Sequence, residues 1–142
     1  MNPRRIILRE TLVSVAINAV ISAGFFFATF GLPTPIPAEA LGLDFLPQSF
    51  MVTLMGCLIP SLLVRRQSGQ SARPIVLRAL LIAVLVLVVA GGGAMLVCMA
   101  LGGDWAALPA LVIKVLFGAL LAAIATPVAV AAALRPDRPG IA

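Results

Sequence analysis

Residues 11–30 read TLVSVAINAVISAGFFFATF, 20 positions without a charged side chain. A helix of that length rises about 1.5 Å per residue and crosses a hydrocarbon core of roughly 30 Å. Three further apolar runs follow at about residues 46–64, 75–101 and 106–134. Backbone polar groups inside a bilayer must be satisfied within the protein, so only helices and closed barrels span it. These runs lack the two-residue alternation of barrel strands. The expected fold is therefore an all-α membrane protein with four transmembrane helices. The chain is 62% hydrophobic and 11% charged, with a mean hydropathy of +1.17. A soluble domain of 142 residues cannot bury that much apolar surface.

The net charge of +5 lies at the borders of the apolar runs. Arg4, Arg5 and Arg9 precede the first. Arg65, Arg66, Arg73 and Arg78 flank the second and third, and Arg135 and Arg138 follow the fourth. Nine of the ten basic residues then fall on one side, and the other side carries Glu39, Asp44 and Asp104. The positive-inside bias predicts both termini in the cytoplasm. Basic residues placed this way report topology, and no nucleic-acid partner is expected. A cleaved signal peptide is the competing reading of the N-terminus, with Ala38-Glu39-Ala40 as its cleavage site. The apolar run is too long for it, and Pro33, Pro35 and Pro37 intervene.

The first span carries a stripe. Glu10, Ser14, Asn18 and Ser22 recur every four residues and share one helix face. Asn18 falls near the midplane, where a buried amide needs a hydrogen-bond partner. Two roles follow from this. The stripe clamps the first helix to the second, opposite Gly56 and Cys57, or it lines a polar pathway together with Thr53. Glu10 sits at the cytoplasmic edge, within reach of Arg9, Arg66 or Arg78. Lys114 is the one cation inside an apolar run, and it is expected to snorkel outward towards Asp104.

Overlaying the halves suggests an internal repeat. LRETLVSVAINAVISAG from Leu8 aligns with LRALLIAVLVLVVAGGG from Leu77 at a shift of 69, which places Gly24 on Gly93. Pro60 and Pro127 align at a shift of 67. The expected layout is one membrane domain of two like-oriented hairpins, about residues 8–66 and 75–135, joined by a polar linker at about 67–74. Small residues at Gly24, Gly56, Gly93, Gly118, Ala122 and Thr126 predict close helix packing, within the bundle or between two copies. Pro60 and Pro127 each remove a helical hydrogen bond and predict kinks, with Thr126 satisfying freed carbonyls.

The second run and its border, SFMVTLMGCLIPSLLVRR, place a proline shortly before terminal arginines. That pattern resembles small bacterial inner-membrane proteins of unassigned function, built from one or two helix hairpins. The second half resembles them more loosely, since Pro127 is followed by VAVAAAL before Arg135. The resemblance implies a multi-pass protein of the bacterial inner membrane and assigns no role to any residue.

Catalytic and cofactor chemistry is not expected. The chain has no His, which removes the commonest general base and metal ligand. No nucleophile–base pair, phosphate loop or CxxC is present. Met51, Met55, Met95 and Met99, with Cys98, form a low-ranking soft-metal alternative for Cu(I), against ordinary methionine packing. Cys57 and Cys98 fall at depths too different for a disulfide. The expectation is a non-enzymatic protein without a cofactor, whose partner is the lipid bilayer. It acts through helix packing as an accessory subunit or homodimer. The alternative is a small transporter with a pathway along the first helix.

Overall fold

The computed structural model describes residues 2–31, 35–68 and 71–134, apart from the side chains of 66–68. Pro33, part of the linker, the Arg66 side chain, Arg135 and Arg138 lie outside the described residues. The elements in order are α1 (Pro3–Phe30), β1 (Ile36–Pro37), α2 (Ala38–Ser68), α3 (Ala72–Val86), a π-helical turn (Leu87–Gly91), α4 (Gly92–Leu101), β2 (Asp104–Trp105) and α5 (Ala107–Ala133). Four helices are long and apolar enough to cross a membrane, the third being the continuous run Ala72–Leu101.

Local chemistry sets the helix ends. The Asn2 side chain accepts the Arg4 N–H at 3.0 Å, and Pro3 takes the first helical position, where its missing N–H is not needed. Gly31 and Gly102 end α1 and α4 with φ of 68° and 60°, values that glycine adopts without a Cβ clash. Their N–H groups bond back to Phe27 and Cys98. Beyond these stops the two connections pair as a short antiparallel ladder, Ile36 with Trp105 and Pro37 with Asp104. Helix α2 begins at Ala38, well before the expected start near residue 46, and takes Pro47 inside it.

The helices do not pack in sequence order. Helix α1 lies mainly against α5, and α2 lies between α5 and the α3–α4 span. Sequential neighbours α1 and α2 touch little, as do α3 and α5. The stripe expected to clamp the first two helices packs mainly on the last helix instead, while Ser14 still stands beside Gly56 of α2 and Ser22 accepts from Gln48. The register of α1 on α5 follows from the close contacts. A Cβ on Gly118 would collide with Ser22 Oγ, and Thr126 Oγ1 donates to Ser14 Oγ at 2.9 Å. Eight residues down α1 correspond to eight residues up α5, so the two run antiparallel. The every-four stripe is buried along its whole length, from Ile6 through Glu10, Ser14, Asn18 and Ser22 to Phe26.

The α2 face towards α4 uses the same device. A Cβ on Gly91 would collide with Ser49 Oγ, and one on Gly42 would meet Cys98 Cβ at 3.2 Å. Gly24 and Gly93 have nothing within 4 Å of a built Cβ, so no close approach occurs at either. Close packing falls instead at Gly42, Gly56, Gly91 and Gly118. Thr126 turns to Ser14 rather than back to its own helix carbonyls, which corrects its expected role beside Pro127.

Candidate site at the seam between the first and second helices

The polar groups of the bundle divide into a sealed half and an open half. In the sealed half Ser14, Gly56 and Thr126 converge. A Cβ on Gly56 would stand 3.2 Å from Thr126 Oγ1 and 3.4 Å from Ser14 Oγ. Glycine is the residue that lets α2 approach this hydroxyl pair. Glu10 closes the end of the stripe through Arg9, whose Nη2 and Nε lie 2.6 and 3.1 Å from Glu10 Oε1. Arg9 was one of three arginines expected to neutralise Glu10, and among the described side chains it is the one bonded to it.

In the other half, weak contact between α1 and α2 leaves a cavity of about 220 Å³. Asn18, Ser22, Gln48 and Lys114 stand behind its wall, which is almost wholly apolar at the surface. Its apolar wall includes Ile21, Phe25, Met51 and Met55. Those four are 38–61% exposed, so the mouth lies on the outer face of the bundle. A second recess, beside Cys57 and Arg78, has only about 10 Å³, room for about one water.

Lys114 is 1% exposed and pairs with Asp44. It does not snorkel, and Asp104 is not its partner. The early start of α2 is the reason: Asp44 sits in the second turn of that helix rather than in a loop. The ammonium also lies 5.7 Å from the ring centroids of Phe30 and Phe45, within cation–π range. Burying both charges carries a desolvation penalty that close pairing and the two rings offset.

Gln48 ties three helices together. Its Nε2 donates to Ser22 Oγ and to the Lys114 carbonyl, both at 3.0 Å. Both amide hydrogens are thereby committed, and Oε1 has no partner. Asn18 Nδ2 donates within α1, to Ser14 O at 2.8 Å and Ser14 Oγ at 3.3 Å. The amide expected to bridge helices is therefore satisfied locally through its nitrogen. Thr53 is fully buried with an unpartnered Oγ1, but it is not part of the cavity wall.

Sequence reasoning singled out Asn18 and Ser22, placed Lys114 at the outer surface beside Asp104, and missed Asp44 and Gln48. A signal existed for both. Asp44 and Gln48 are four apart and share a helix face once Pro47 is accepted inside a helix. The methionine pairs fall on separate faces: Met51 and Met55 line the cavity, while Met95 packs its backbone on Gly42. Among the described residues no group of three or more His, Cys, Asp or Glu could hold a metal ion. No family model matches the chain, and neither a curated protein nor a solved structure matches it.

Proposed function

We propose that this protein is a non-catalytic membrane protein that binds a small ligand in the seam between α1 and α2 and acts as a small transporter. The observation that carries this reading is the cavity of about 220 Å³ between α1 and α2, which the polar residues Asn18, Ser22, Gln48 and Lys114 back. An intramembrane ion pair is costly to maintain and marks functional positions in membrane helices. The packed triad of Ser14, Gly56 and Thr126 closes the pathway beyond Asn18, so the cavity is accessible from one side only. In this reading the sealed half is a gate, the bundle sits in a bacterial inner membrane with both termini cytoplasmic, and the cavity faces the outer leaflet.

The competing reading is a packing role, as an accessory subunit or homodimer. It is favoured by the stripe of α1 seated on Gly118 and Thr126 of α5. Asn18→Leu separates the two. Ligand traffic predicts a folded variant with altered solute or proton flux in proteoliposomes. A packing role predicts a lower unfolding temperature or a changed oligomer. A normal melting curve with unchanged flux removes Asn18 from both readings.

A further inference from the structure

Four polar residues back the cavity, yet their nitrogens are spent within the protein. Gln48 Nε2 donates to Ser22 Oγ and to the Lys114 carbonyl. Lys114 Nζ is paired with Asp44, and Asn18 Nδ2 donates to Ser14. Gln48 Oε1 is buried out of reach. The surface left to the cavity is therefore almost wholly apolar. A water held inside a protein needs about two to four polar partners, whereas an apolar cavity of about 150 Å³ stays dry and takes up a hydrocarbon such as benzene. The chemistry of this wall selects hydrocarbon over any polar group.

Shape narrows the class. The lining runs from Asn18 to Phe25 on α1 and from Pro47 to Met55 on α2, about 10–12 Å along each helix. The volume of about 220 Å³ is thus drawn out along the seam, parallel to the two spans. It lies below the usual range for a pocket that encloses a whole ligand, about 300–1,000 Å³. The occupant is then one part of a larger molecule whose remainder stays outside. The mouth at Ile21, Phe25, Met51 and Met55 opens sideways between two membrane spans, where that remainder meets lipid. A helix from a second copy, about 10 Å across, is too thick for a slot of this volume. Bilayer hydrocarbon is as apolar as the lining, so what favours entry is dispersion contact with walls on several sides.

We infer that the slot between α1 and α2 holds one acyl chain of a bilayer phospholipid, lying along Ile21, Phe25, Met51 and Met55. This rests on the ligand-binding reading of the seam and names a lipid chain, not a polar solute, as its ligand class. The test uses the full chain in phosphatidylcholine vesicles doped with a phosphatidylcholine that carries a diazirine on one acyl chain. A diazirine-bearing adamantane, compact and apolar, is run in parallel. The lipid should label the four seam residues severalfold more than Leu81 and Leu116, although these lipid-facing controls are 72% and 63% exposed. Ile21→Trp and Met51→Trp fill the slot from opposite walls, and each should bring labelling of the remaining seam residues down to the level of the controls with the melting curve retained. Val20→Trp, on the exposed face of α1 and outside the lining, should leave seam labelling unchanged. Seam labelling by the adamantane and not by the lipid overturns the acyl chain and leaves a binding seam. Labelling by both probes in proportion to exposure overturns the binding seam itself. Disulfide-linked dimers from Met51→Cys, in a chain lacking Cys57 and Cys98, would place a second copy over the mouth and overturn the lipid assignment in favour of the packing role.

Discussion

Lys114 and Asp44 show how much a single pair can demand of its surroundings. The ammonium is enclosed by Asp44, Phe30 and Phe45. Removing one partner leaves the other charge buried and uncompensated, a loss of about 3–5 kcal/mol where such pairs have been broken. Lys114→Met alone should therefore lower the unfolding midpoint strongly. Lys114→Met combined with Asp44→Leu should recover most of the loss, because an apolar replacement of the pair is often neutral. Equal instability of the single and double variants in detergent unfolding would show that the pair is not the source. Residue scale is also where sequence reasoning fell short. The burial of Glu10, Ser14, Asn18 and Ser22 was legible from their spacing. The partner of Lys114 was not, because four prolines near Asp44 suggested a loop, and Asp104 was closer in sequence. Pro47 lies inside α2, where proline removes a helical hydrogen bond, and the helix nevertheless continues through it and carries Asp44 inward.

At the scale of elements, glycine decides which helices touch. Gly118 lies under Ser22, and a Cβ there would force one of the two to move. Gly118→Ala should destabilise the bundle by about 1–3 kcal/mol, the usual penalty for overpacking. Gly24→Ala has open space and should stay within about 0.5 kcal/mol of the parent. Ser22→Ala should relieve part of the Gly118→Ala defect, and thermal unfolding of the three variants checks the coupling. The same contact permits a covalent test. The built Cβ of Gly118 is 3.5 Å from Ser22 Cβ, the separation a disulfide requires. In a chain lacking Cys57 and Cys98, Ser22→Cys with Gly118→Cys should oxidise to a crosslink between the first and last helices. Two fragments that separate on a non-reducing gel after cleavage near residue 70 would contradict the α1–α5 interface. The existence of all four spans was legible from hydropathy, and so were the approximate limits of the last two, whereas α1 and α2 begin well before their apolar runs. The pairing of α1 with α5 was not, because apolar faces of similar composition do not encode which neighbour they meet. Short connections made α2 the default partner.

For the whole molecule, interleaving has a measurable outcome. Each half finds most of its helix contacts in the other half, since α1 rests on α5 and α2 rests on α3–α4 and α5. Residues 1–68 and 71–142 produced as separate chains should therefore co-purify as one complex and restore the seam. Independent, stable recovery of either fragment alone would mean that the hairpins are self-sufficient.

The contact between the first and last helices also orders events during synthesis. Asn18 and Ser22 enter the membrane early, yet Gly118 and Thr126 are made roughly a hundred residues later. At about 5–20 residues per second, the polar face of α1 waits for several seconds without its lid. During that interval it is open to lipid, to a membrane insertase or to a protease. A ribosome that stalls before α5 leaves a nascent chain whose most polar surface is still uncovered.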